Sequence, residues 1–311
     1  MKAVRIHSYG DVNVLRFEDA PEPIVSADDV LIRVIGASVN PVDWKIREGH
    51  LKEIIPFRMA IIPGWDVSGI VHAVGEKVGK FKVGDSVFSR PAIERDGTYA
   101  EFVAVHEDEV AAKPKTISHI EAGVLPLAGI TAWEVLINEA KISAGQRVLI
   151  HAAAGGVGSL AVQLAKWRGA YVIATASVAN RELVESLGAD EFIDYRAQRL
   201  LDATKNIDVV FDTVGGRTQE ESWAVMAPSG ILVSIVSHPP EDEAKNLGLR
   251  SAFVFIKPDA SALDEIAQLV DSGKLRPIIC AEFGLQDIKR AHTLSESGHS
   301  KGKIALYVGH P

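Results

Sequence analysis

A run of small residues between two apolar segments carries the clearest chemical signal in this chain. Residues 148–150 are apolar and of β type, the small-residue run 152–158 follows them, and an amphipathic helical pattern covers residues 159–166. A strand, a tight turn and a helix in this order form the context that a dinucleotide-binding glycine motif requires. The turn is therefore predicted to bind the pyrophosphate of a nicotinamide dinucleotide.

Four residues of this turn are the predicted contacts. Gly155 lets the main chain approach a phosphate where a Cβ would collide, and Gly158 lets the helix lie close to the strand. Gly156 and Val157 begin the helix, whose free N–H groups and positive dipole end favour an anion. The motif departs from the strict G-x-G-x-x-G pattern, because Ala153 stands in the place of the first glycine. A glycine turn with a purely structural role is the alternative.

The segment after the next predicted strand indicates which dinucleotide binds. An NAD-selective site would have Asp or Glu at the end of the strand 171–176, where it binds the ribose 2′-hydroxyl. This chain has Ser177, Asn180 and Arg181 there instead, and a planar guanidinium suits a 2′-phosphate. The segment therefore predicts NADPH. In the alternative interpretation, Ser177 and Asn180 only cap the next helix and Arg181 faces solvent.

Composition excludes several classes of protein. A formal net charge of −8 without a cluster of Lys and Arg disfavours nucleic acids and anionic membranes as partners. The single cysteine, Cys280, excludes an intramolecular disulfide, and its apolar neighbours predict that it is buried as a small hydrophobe. Residues 1–6 contain no apolar signal region, so the cytoplasm is the expected compartment.

The pattern of predicted elements changes near Thr116. Before it, short alternating runs broken by Gly and Pro predict mainly β structure, with strands at residues 29–37, 66–74, 86–89 and 100–105. After it, strands and helices alternate, which predicts parallel strands joined by right-handed helical crossovers, an α/β doubly wound sheet. Helices are predicted at 121–128, 132–140, 181–187 and 219–226, and strands at 148–150, 171–176, 191–194, 208–212, 230–236 and 251–256. A helix at 261–272 and a strand at 303–308 do not extend this sheet, and we expect them to return to the first part.

Several short motifs occur in a specific order along the chain. They are residues 40–49, 63–69, 83–87, 97–101, 125–133, 152–158, 187–190 and 302–304. In this order they resemble the zinc-independent, quinone oxidoreductase-like and enone reductase-like branch of the medium-chain dehydrogenase/reductase superfamily, over essentially the whole chain. The resemblance implies a Rossmann cofactor domain at residues 123–256. It also implies a mostly β, GroES-like substrate domain at residues 1–122 and 257–311.

The resemblance also makes one absence informative. Zinc alcohol dehydrogenases of the same superfamily bind catalytic zinc through Cys, a Gly-His-Glu segment and a further Cys or carboxylate. The corresponding places here are Asn40, residues 64–66 and the region of Leu127. Asn and Trp do not supply zinc ligands, and Asp66 alone does not hold the ion, so no metal is expected. Without a Lewis acid, alcohol oxidation is disfavoured and hydride reduction of an electrophilic substrate is favoured.

The same resemblance places Asn40, Asp43, Trp44 and Tyr99 at the substrate cleft. Asn40 and Tyr99 are candidate donors to a substrate oxygen, and Trp44 is a candidate apolar wall for a flat ring. In the alternative, Asn40 only builds a turn and Tyr99 is a packed strand residue. Asp43, whose counterpart supports the metal site in zinc relatives, is expected to anchor an Arg or Lys instead.

The remaining expected cofactor contacts also follow from the resemblance. Thr131 is expected near the nicotinamide and Tyr195 near the adenosine. Main-chain groups at Val214 and Gly215, and at Val236 and Ser237, are expected at the carboxyl edge of the sheet, where such folds bind ligands. Lys303 is expected to bind a phosphate or face the cleft, and a plain surface lysine is the alternative.

These observations together predict one function and leave two alternatives. The prediction is a zinc-independent, NADPH-dependent reductase of a small electrophile, either a quinone or an α,β-unsaturated carbonyl compound. The alternatives are an NADPH-binding regulatory protein without turnover and a metal-assisted alcohol dehydrogenase. Residues 251–255 resemble the edge strand through which family members pair, so a homodimer is expected.

Overall fold

The computed structural model describes residues 1–308, which form two compact units. The first unit comprises Met1–Leu127, Lys257–Gly273 and the chain from Pro277 onward, and the second comprises Ala128–Ile256 and Lys274–Arg276. Within the described range, no helix has the length and apolar character needed to cross a membrane.

In residues 1–308, the first unit consists mainly of strands, whereas strands and helices alternate in the second unit. The strands are β1 (Lys2–Arg5), β2 (Arg16–Asp19), β3 (Asp29–Val39), β4 (Val67–Val74), β5 (Ser86–Ser89), β6 (Phe102–His106), β7 (Val110–Ala112), β8 (Arg147–Ile150), β9 (Tyr171–Ala176), β10 (Glu191–Asp194), β11 (Ile207–Asp212), β12 (Met226–Ser234), β13 (Arg250–Phe253), β14 (Ile279–Gly284) and β15 (Lys303–Tyr307). The α-helices are α1 (Pro41–Arg47), α2 (His119–Ala122), α3 (Pro126–Trp133), α4 (Gly156–Trp167), α5 (Arg181–Ser186), α6 (Leu200–Ala203), α7 (Gly216–Ser222), α8 (Glu241–Asn246), α9 (Ala260–Asp271) and α10 (Ile288–Glu296).

The second unit is built on a parallel sheet with the strand order β10-β9-β8-β11-β12-β13. The chain runs outward from β8 to β10, returns to β11 and runs outward again to β13, so the order reverses between β8 and β11. Residues 148–150 and 209–211 of the two central strands are fully buried, as parallel strands covered on both faces must be. This arrangement confirms the predicted α/β doubly wound sheet.

The first unit is built on a mainly antiparallel sheet with the order β14-β15-β3-β4-β5-β7, and β6 also pairs with β3. The last strand, β15, pairs with β3, so the end of the chain returns to this unit as expected. β14 and β15 are parallel to each other, and the other strand pairs of this sheet within residues 1–308 are antiparallel.

The registers of this sheet bring polar residues to one of its ends. Val39 pairs with Ile304, Val67 pairs with Ala37, and Val67 also pairs with Ser89. In an antiparallel pair, one step forward along one strand is opposite one step back along its partner. Asn40 is therefore opposite Lys303, and Asp66 is opposite both Ser38 and Arg90. We call the residues assembled there the polar row: Lys303, Asn40, Ser38, Asp66 and Arg90.

Three predicted helices have different bounds in the structure. The helix predicted at 219–226 corresponds to α7, which begins at Gly216 and ends at Ser222, because Trp223–Val225 form a 3₁₀ turn and β12 begins at Met226. The single helix predicted at residues 121–128 is wrong, because α2 ends at Ala122 and α3 begins at Pro126. Proline lacks the N–H that continues a helix but suits its first turn, which explains the new start. The helix predicted at 132–140 changes at Trp133 into a π-helical stretch, Glu134–Glu139.

Helix α4 is not amphipathic, contrary to the sequence pattern. Residues 158–165 are all buried. The helix packs against β8, β9 and the π-helical stretch, which cover it from more than one side. Its polar residues Ser159 and Gln163 bond back to main-chain carbonyl groups and so require no solvent.

The prediction that Cys280 is buried is wrong. It lies on β14, an edge strand of the first unit's sheet, and its side chain is exposed. Along β14, exposed positions alternate with partly buried ones, so Cys280 and Glu282 share the outer face. The apolar run around Cys280 belongs to a strand with only one covered face.

Candidate functional site

The carboxylate of Asp66 is the centre of the polar row. It is fully buried, and its Oδ2 accepts hydrogen bonds from Ser38 Oγ at 2.5 Å, Asn40 Nδ2 at 2.8 Å and Lys303 Nζ at 3.1 Å. Its Oδ1 accepts a hydrogen bond from the backbone N–H of Leu127 at 2.6 Å. Four donors, one of them an ammonium, compensate the cost of burying this carboxylate.

Lys303 is therefore not a surface residue, and that alternative is wrong. Its side chain is almost fully buried, and its ammonium donates to Asn40 Oδ1 as well as to Asp66. One of the three ammonium hydrogens remains for a ligand. A phosphate contact by Lys303 stays a prediction that rests on this single donor.

Asn40 has both a structural role and a free donor. It is the N-cap residue of α1, as the turn interpretation expected, and its amide is bonded to Asp66 and Lys303. One hydrogen of its Nδ2 is left over. Donation to a substrate oxygen stays a prediction for that hydrogen.

Asp43 and Tyr99 form a second, fully buried pair. The Tyr99 hydroxyl donates to Asp43 Oδ2 at 2.6 Å, and the backbone N–H of Asn40 donates to the same oxygen at 2.8 Å. The Tyr99 ring packs so closely on Gly64 that a Cβ on this glycine would lie 2.4 Å from a ring carbon.

This pair corrects two expectations. Tyr99 does not donate to a substrate oxygen here, because its hydroxyl is bonded to Asp43 and its ring is inaccessible. Asp43 does not anchor an Arg or Lys, since its partners are Tyr99 and a backbone N–H. Both residues position the start of α1, which carries Trp44.

Burial controls the ionisation of the pair. Loss of solvation raises the pKa of Asp43 to about 7, although hydrogen bonds from Tyr99 and Asn40 act in the opposite direction. Burial also raises the pKa of Tyr99 well above its usual value, and the charge of Asp43 adds to this effect.

Trp44 lies half-buried on α1, with the ring of His50 edge-on at 6.1 Å. Its Nε1 is buried without a hydrogen-bond partner among residues 1–308. Its role as an apolar wall for a substrate stays a prediction.

The residues at the expected zinc positions do not fit zinc. Asn40, Asp66 and Leu127 do converge, but Leu127 contributes an N–H donor and the ammonium of Lys303 lies 3.1 Å from the carboxylate. Zinc needs several N, S or O ligands around one point, and a fixed cation repels a dication from that point. No cluster of three or more His, Cys, Asp or Glu suited to a metal occurs in the described part of the chain.

The glycine turn of the second unit fits a dinucleotide. Gly155 is the N-cap residue of α4, and Gly156 and Val157 lie in its first turn, whose N–H groups have no intrahelical acceptors. A Cβ on Gly158 would lie 2.3 Å from the carbonyl oxygen of Ala152, so only glycine fits there. Gly155 is less restricted, because its Cβ would lie 3.2 Å from the same oxygen.

Asp212 organises the end of β11 and was not predicted. Its Oδ1 accepts hydrogen bonds from the backbone N–H groups of Val214 at 2.9 Å and Gly215 at 2.8 Å. Its Oδ2 accepts from Gln219 Nε2 and Ser234 Oγ, both at 2.8 Å. The N–H groups of Val214 and Gly215 thus bond within the protein, and a main-chain contact of this segment with the cofactor stays a prediction.

His151 connects the ends of neighbouring elements. Its Nδ1 lies 3.1 Å from Thr175 Oγ1 on β9, and its Nε2 lies 2.9 Å from Ser222 Oγ on α7. Burial lowers its pKa to about 4, so the imidazole is neutral at physiological pH. It is a positioning residue beneath the glycine turn.

The predicted 2′-phosphate segment follows β9, with no acid before Glu182. Asn180 Nδ2 donates to Ser177 Oγ at 3.3 Å, and neither side chain caps a helix. Arg181 is 58% exposed and its Nε donates to Glu185 Oε1 at 2.8 Å, so its two terminal nitrogens remain for a phosphate. The contact itself stays a prediction.

The other expected cofactor contacts lie on several elements. Tyr195 follows β10, is 57% exposed and has the guanidinium of Arg196 at 5.6 Å from its ring. Val236 and Ser237 follow β12, and their N–H groups lie 3.3 and 3.4 Å from Ser234 Oγ. Thr131 is buried on α3. Their contacts with the cofactor stay predictions.

The sequence analysis did not predict a functional role for Asp212 or Arg90, although one sequence feature could have indicated both. Each is a charged residue at the end of a buried strand, where a side chain is either solvated or held by partners. Arg90 is 2% exposed, and its one hydrogen bond within residues 1–308 runs from Nη1 to the Pro91 carbonyl at 3.3 Å.

Comparisons with known proteins agree with these features. Residues 26–115 match the family model described as alcohol dehydrogenase GroES-like domain, and residues 187–306 match that described as zinc-binding dehydrogenase. The chain is 37% identical over 320 residues to the chloroplastic NADPH-dependent alkenal/one oxidoreductase of Arabidopsis thaliana, covering 99% of this chain and 79% of that protein. It is 34% identical over 360 residues to a mitochondrial NAD(P)H oxidoreductase of Homo sapiens, covering 99% and 89%. The structure of the quinone oxidoreductase from Coxiella burnetii matches with a TM-score of 0.89 and 34% identity over 99% of both chains.

The Asp66–Lys303 pair predicts a strong asymmetry between single and double substitutions. Lys303→Met leaves a buried carboxylate without its counterion, and we expect a loss of about 3–5 kcal/mol in the free energy of unfolding. Adding Asp66→Asn removes the charge and should recover part of that loss. Urea unfolding measures both, with Lys301→Met as the exposed control. Equal stability of the Lys303 variant and the control would contradict the ion pair.

The raised pKa of Asp43 predicts a pH-dependent stability. Between the pKa of the unfolded carboxyl, near 4, and about 7, the folded state holds one more proton, so stability falls as pH rises through this window. Asp43→Asn removes this dependence, and the stability difference between wild type and variant should change by at most about 1.4 kcal/mol per pH unit. Unfolding followed from pH 4 to 8 tests it, with the exposed Asp202→Asn as control. Parallel curves for the wild type and Asp43→Asn would exclude a shifted Asp43.

Proposed function

This chain belongs to the quinone oxidoreductase-like branch of the medium-chain dehydrogenase/reductase superfamily, and we propose that it is a zinc-independent reductase of quinones or α,β-unsaturated carbonyl compounds. It is an oxidoreductase with NADPH as its cofactor. Membership confirms the resemblance to the superfamily and to its quinone oxidoreductase-like branch.

One observation carries the zinc-independent chemistry. The positions that the resemblance assigns to zinc ligands meet the ammonium of Lys303, which is bonded to Asp66 and Asn40. A fixed monocation does not ionise an alcohol as zinc does, but it stabilises negative charge that develops nearby. The arrangement therefore favours substrates that are already electrophilic.

NADPH, when bound, supplies a hydride. In an enone, addition of hydride to the β-carbon moves the π electrons onto the carbonyl oxygen, and one proton from solvent then completes the saturated product. The chain has to bind the cofactor diphosphate, orient the substrate and stabilise the new charge on oxygen. The first-turn N–H groups at Gly156 and Val157 suit the diphosphate, and the cations of the polar row suit the oxygen.

We assign these tasks to separate parts of the chain. Residues 123–256 are the proposed cofactor domain, and residues 1–122 with 257–311 are the proposed substrate domain. The glycine turn lies in the former range and the polar row in the latter.

We also propose a homodimer formed through β13. This strand is an edge of the parallel sheet, and the nearby Phe255 is 51% exposed. An uncovered strand edge with an exposed aromatic side chain favours association. Sedimentation equilibrium tests it, and a monomer at micromolar concentration would contradict it. The cytoplasmic location stays a prediction, since the relatives named above include a chloroplastic and a mitochondrial protein.

Oxidation of NADPH by an electrophile panel tests the activity. We expect turnover with ortho-quinones, para-quinones or small enones under identical conditions, without added zinc and without loss on chelation. Tight NADPH binding without oxidation across all these classes would favour a regulatory binding protein. Activity that depends on stoichiometric zinc would instead indicate the metal-assisted alcohol dehydrogenase.

Arg181 is testable separately as the 2′-phosphate contact. Arg181→Ala should weaken NADPH relative to NADH by roughly 10-fold, as expected for the loss of a charge-assisted hydrogen bond of about 1.5 kcal/mol. Fluorescence titration of both cofactors measures the ratio. Arg168→Ala, an exposed arginine at the far end of α4, is the control. An unchanged ratio would remove Arg181 from the site.

A further inference from the structure

Arg90 is a buried cation of the polar row that forms no ion pair with the acid of that row, Asp66. It directly follows β5, and the register of β4 and β5 places it opposite Asp66. Its side chain is 2% exposed, yet it makes no ion pair within residues 1–308. Its Nη1 has one long hydrogen bond, to the Pro91 carbonyl, and its Nε is buried without a partner.

The neighbouring acids do not explain this guanidinium. Asp66 is bonded to Lys303, Ser38, Asn40 and Leu127, as described above. After Asp66, Glu109 is the acid whose charge acts most strongly on Arg90, and its carboxylate accepts a hydrogen bond from the backbone N–H of Ala92. Burial lowers the pKa of Arg90 against the influence of these acids, so its environment does not fully compensate its charge.

Burying a charged guanidinium without acceptors costs free energy unless another group accepts its hydrogen bonds. A guanidinium has five N–H donors in a planar fork, and most of them lack acceptors here. Arg95, on the same connecting segment, shows the satisfied alternative, because its two terminal nitrogens donate to both oxygens of Asp29 at 2.7 and 2.8 Å. The missing acceptor of Arg90 has the chemistry of an oxygen with full or developing negative charge.

We propose that Arg90 binds the carbonyl oxygen of the substrate and stabilises the negative charge that hydride addition places on it. The proposal rests on the reductase function proposed above and assigns a residue to its electrostatic step. Arg90 lies one strand beyond Asp66 in the polar row, at the same end of the sheet as Lys303 and Asn40. A cofactor phosphate offers similar oxygen chemistry and is the competing source that the experiment separates.

Kinetics and cofactor binding of Arg90 variants test the proposal. Arg90→Met should lower kcat/KM for but-3-en-2-one and for 1,4-benzoquinone by roughly 100-fold, the usual effect of losing one oxyanion donor. The Kd of NADPH, measured by fluorescence, should stay within about twofold. Arg90→Lys should recover part of the loss. Arg33→Met, an exposed arginine on β3, is the control. A raised NADPH Kd with unchanged kcat/KM would overturn the proposal in favour of a phosphate contact.

Two further measurements distinguish a binding role from a structural one. In Arg90→Ala, guanidinium chloride at non-denaturing concentration should restore activity, whereas sodium chloride should not. Binding of 4-nitrophenolate, an anionic mimic of the charged oxygen, should be weakened at least about 10-fold in Arg90→Met, which a titration with NADP⁺ present measures without turnover. Phenolate binding that is equal in the wild type and Arg90→Met would overturn the proposal even if the wild type reduces enones. Loss of phenolate binding in the variant of a protein that reduces no electrophile would refute the reductase function and leave the anion site standing.

Discussion

The requirement that a buried carboxylate be surrounded by donors controls the architecture of the first unit. Asp66 obtains its donors from the end of β3, from the backbone at Leu127 and from the first residue of β15. None of these segments is close to another in sequence. The ammonium of Lys303 reaches Asp66 only because the last strand of the chain pairs with β3. The return of the C-terminal segment to the first unit is thus linked to the charge balance of the polar row.

Asp212 plays the corresponding part in the second unit. It turns the backbone N–H groups of Val214 and Gly215 inward and holds Ser234 and Gln219, so the ends of β11 and β12 and the start of α7 are joined through one carboxylate. In both units an acid at the end of a strand determines where the neighbouring loops go. The difference lies in the counterion, since a lysine pairs with Asp66 whereas amide and hydroxyl donors surround Asp212.

The sequence predicted what depends on local pattern. The bounds of β5, β9 and β10 followed from apolar runs between turn residues, and the glycine turn followed from its strand and helix. Long-range pairing determined the rest. That Lys303 meets Asn40 depends on a register between positions 263 residues apart, and the burial of Tyr99 depends on its packing against Gly64. Cys280 was predicted to be buried and is exposed, because an apolar run does not reveal which face of an edge strand is covered.

The fixed cations of the polar row, Lys303 and Arg90, are monocations, and this bears on the chemistry proposed for the site. Lys303 is paired with Asp66, whereas Arg90 has no ion-pair partner within residues 1–308, and the charge of Asp43 acts on both cations. Burial raises the pKa of Asp43 to about 7, so this carboxyl adds a negative charge near the two cations as pH rises through that value. Fixed monocations do not ionise an alcohol as a metal dication does, yet they stabilise the negative charge that a conjugated carbonyl acquires on hydride addition. Under the proposed function, the buried carboxyl of Asp43 modulates the charge around the substrate oxygen, while its own hydrogen-bond partners are Tyr99 and a backbone N–H.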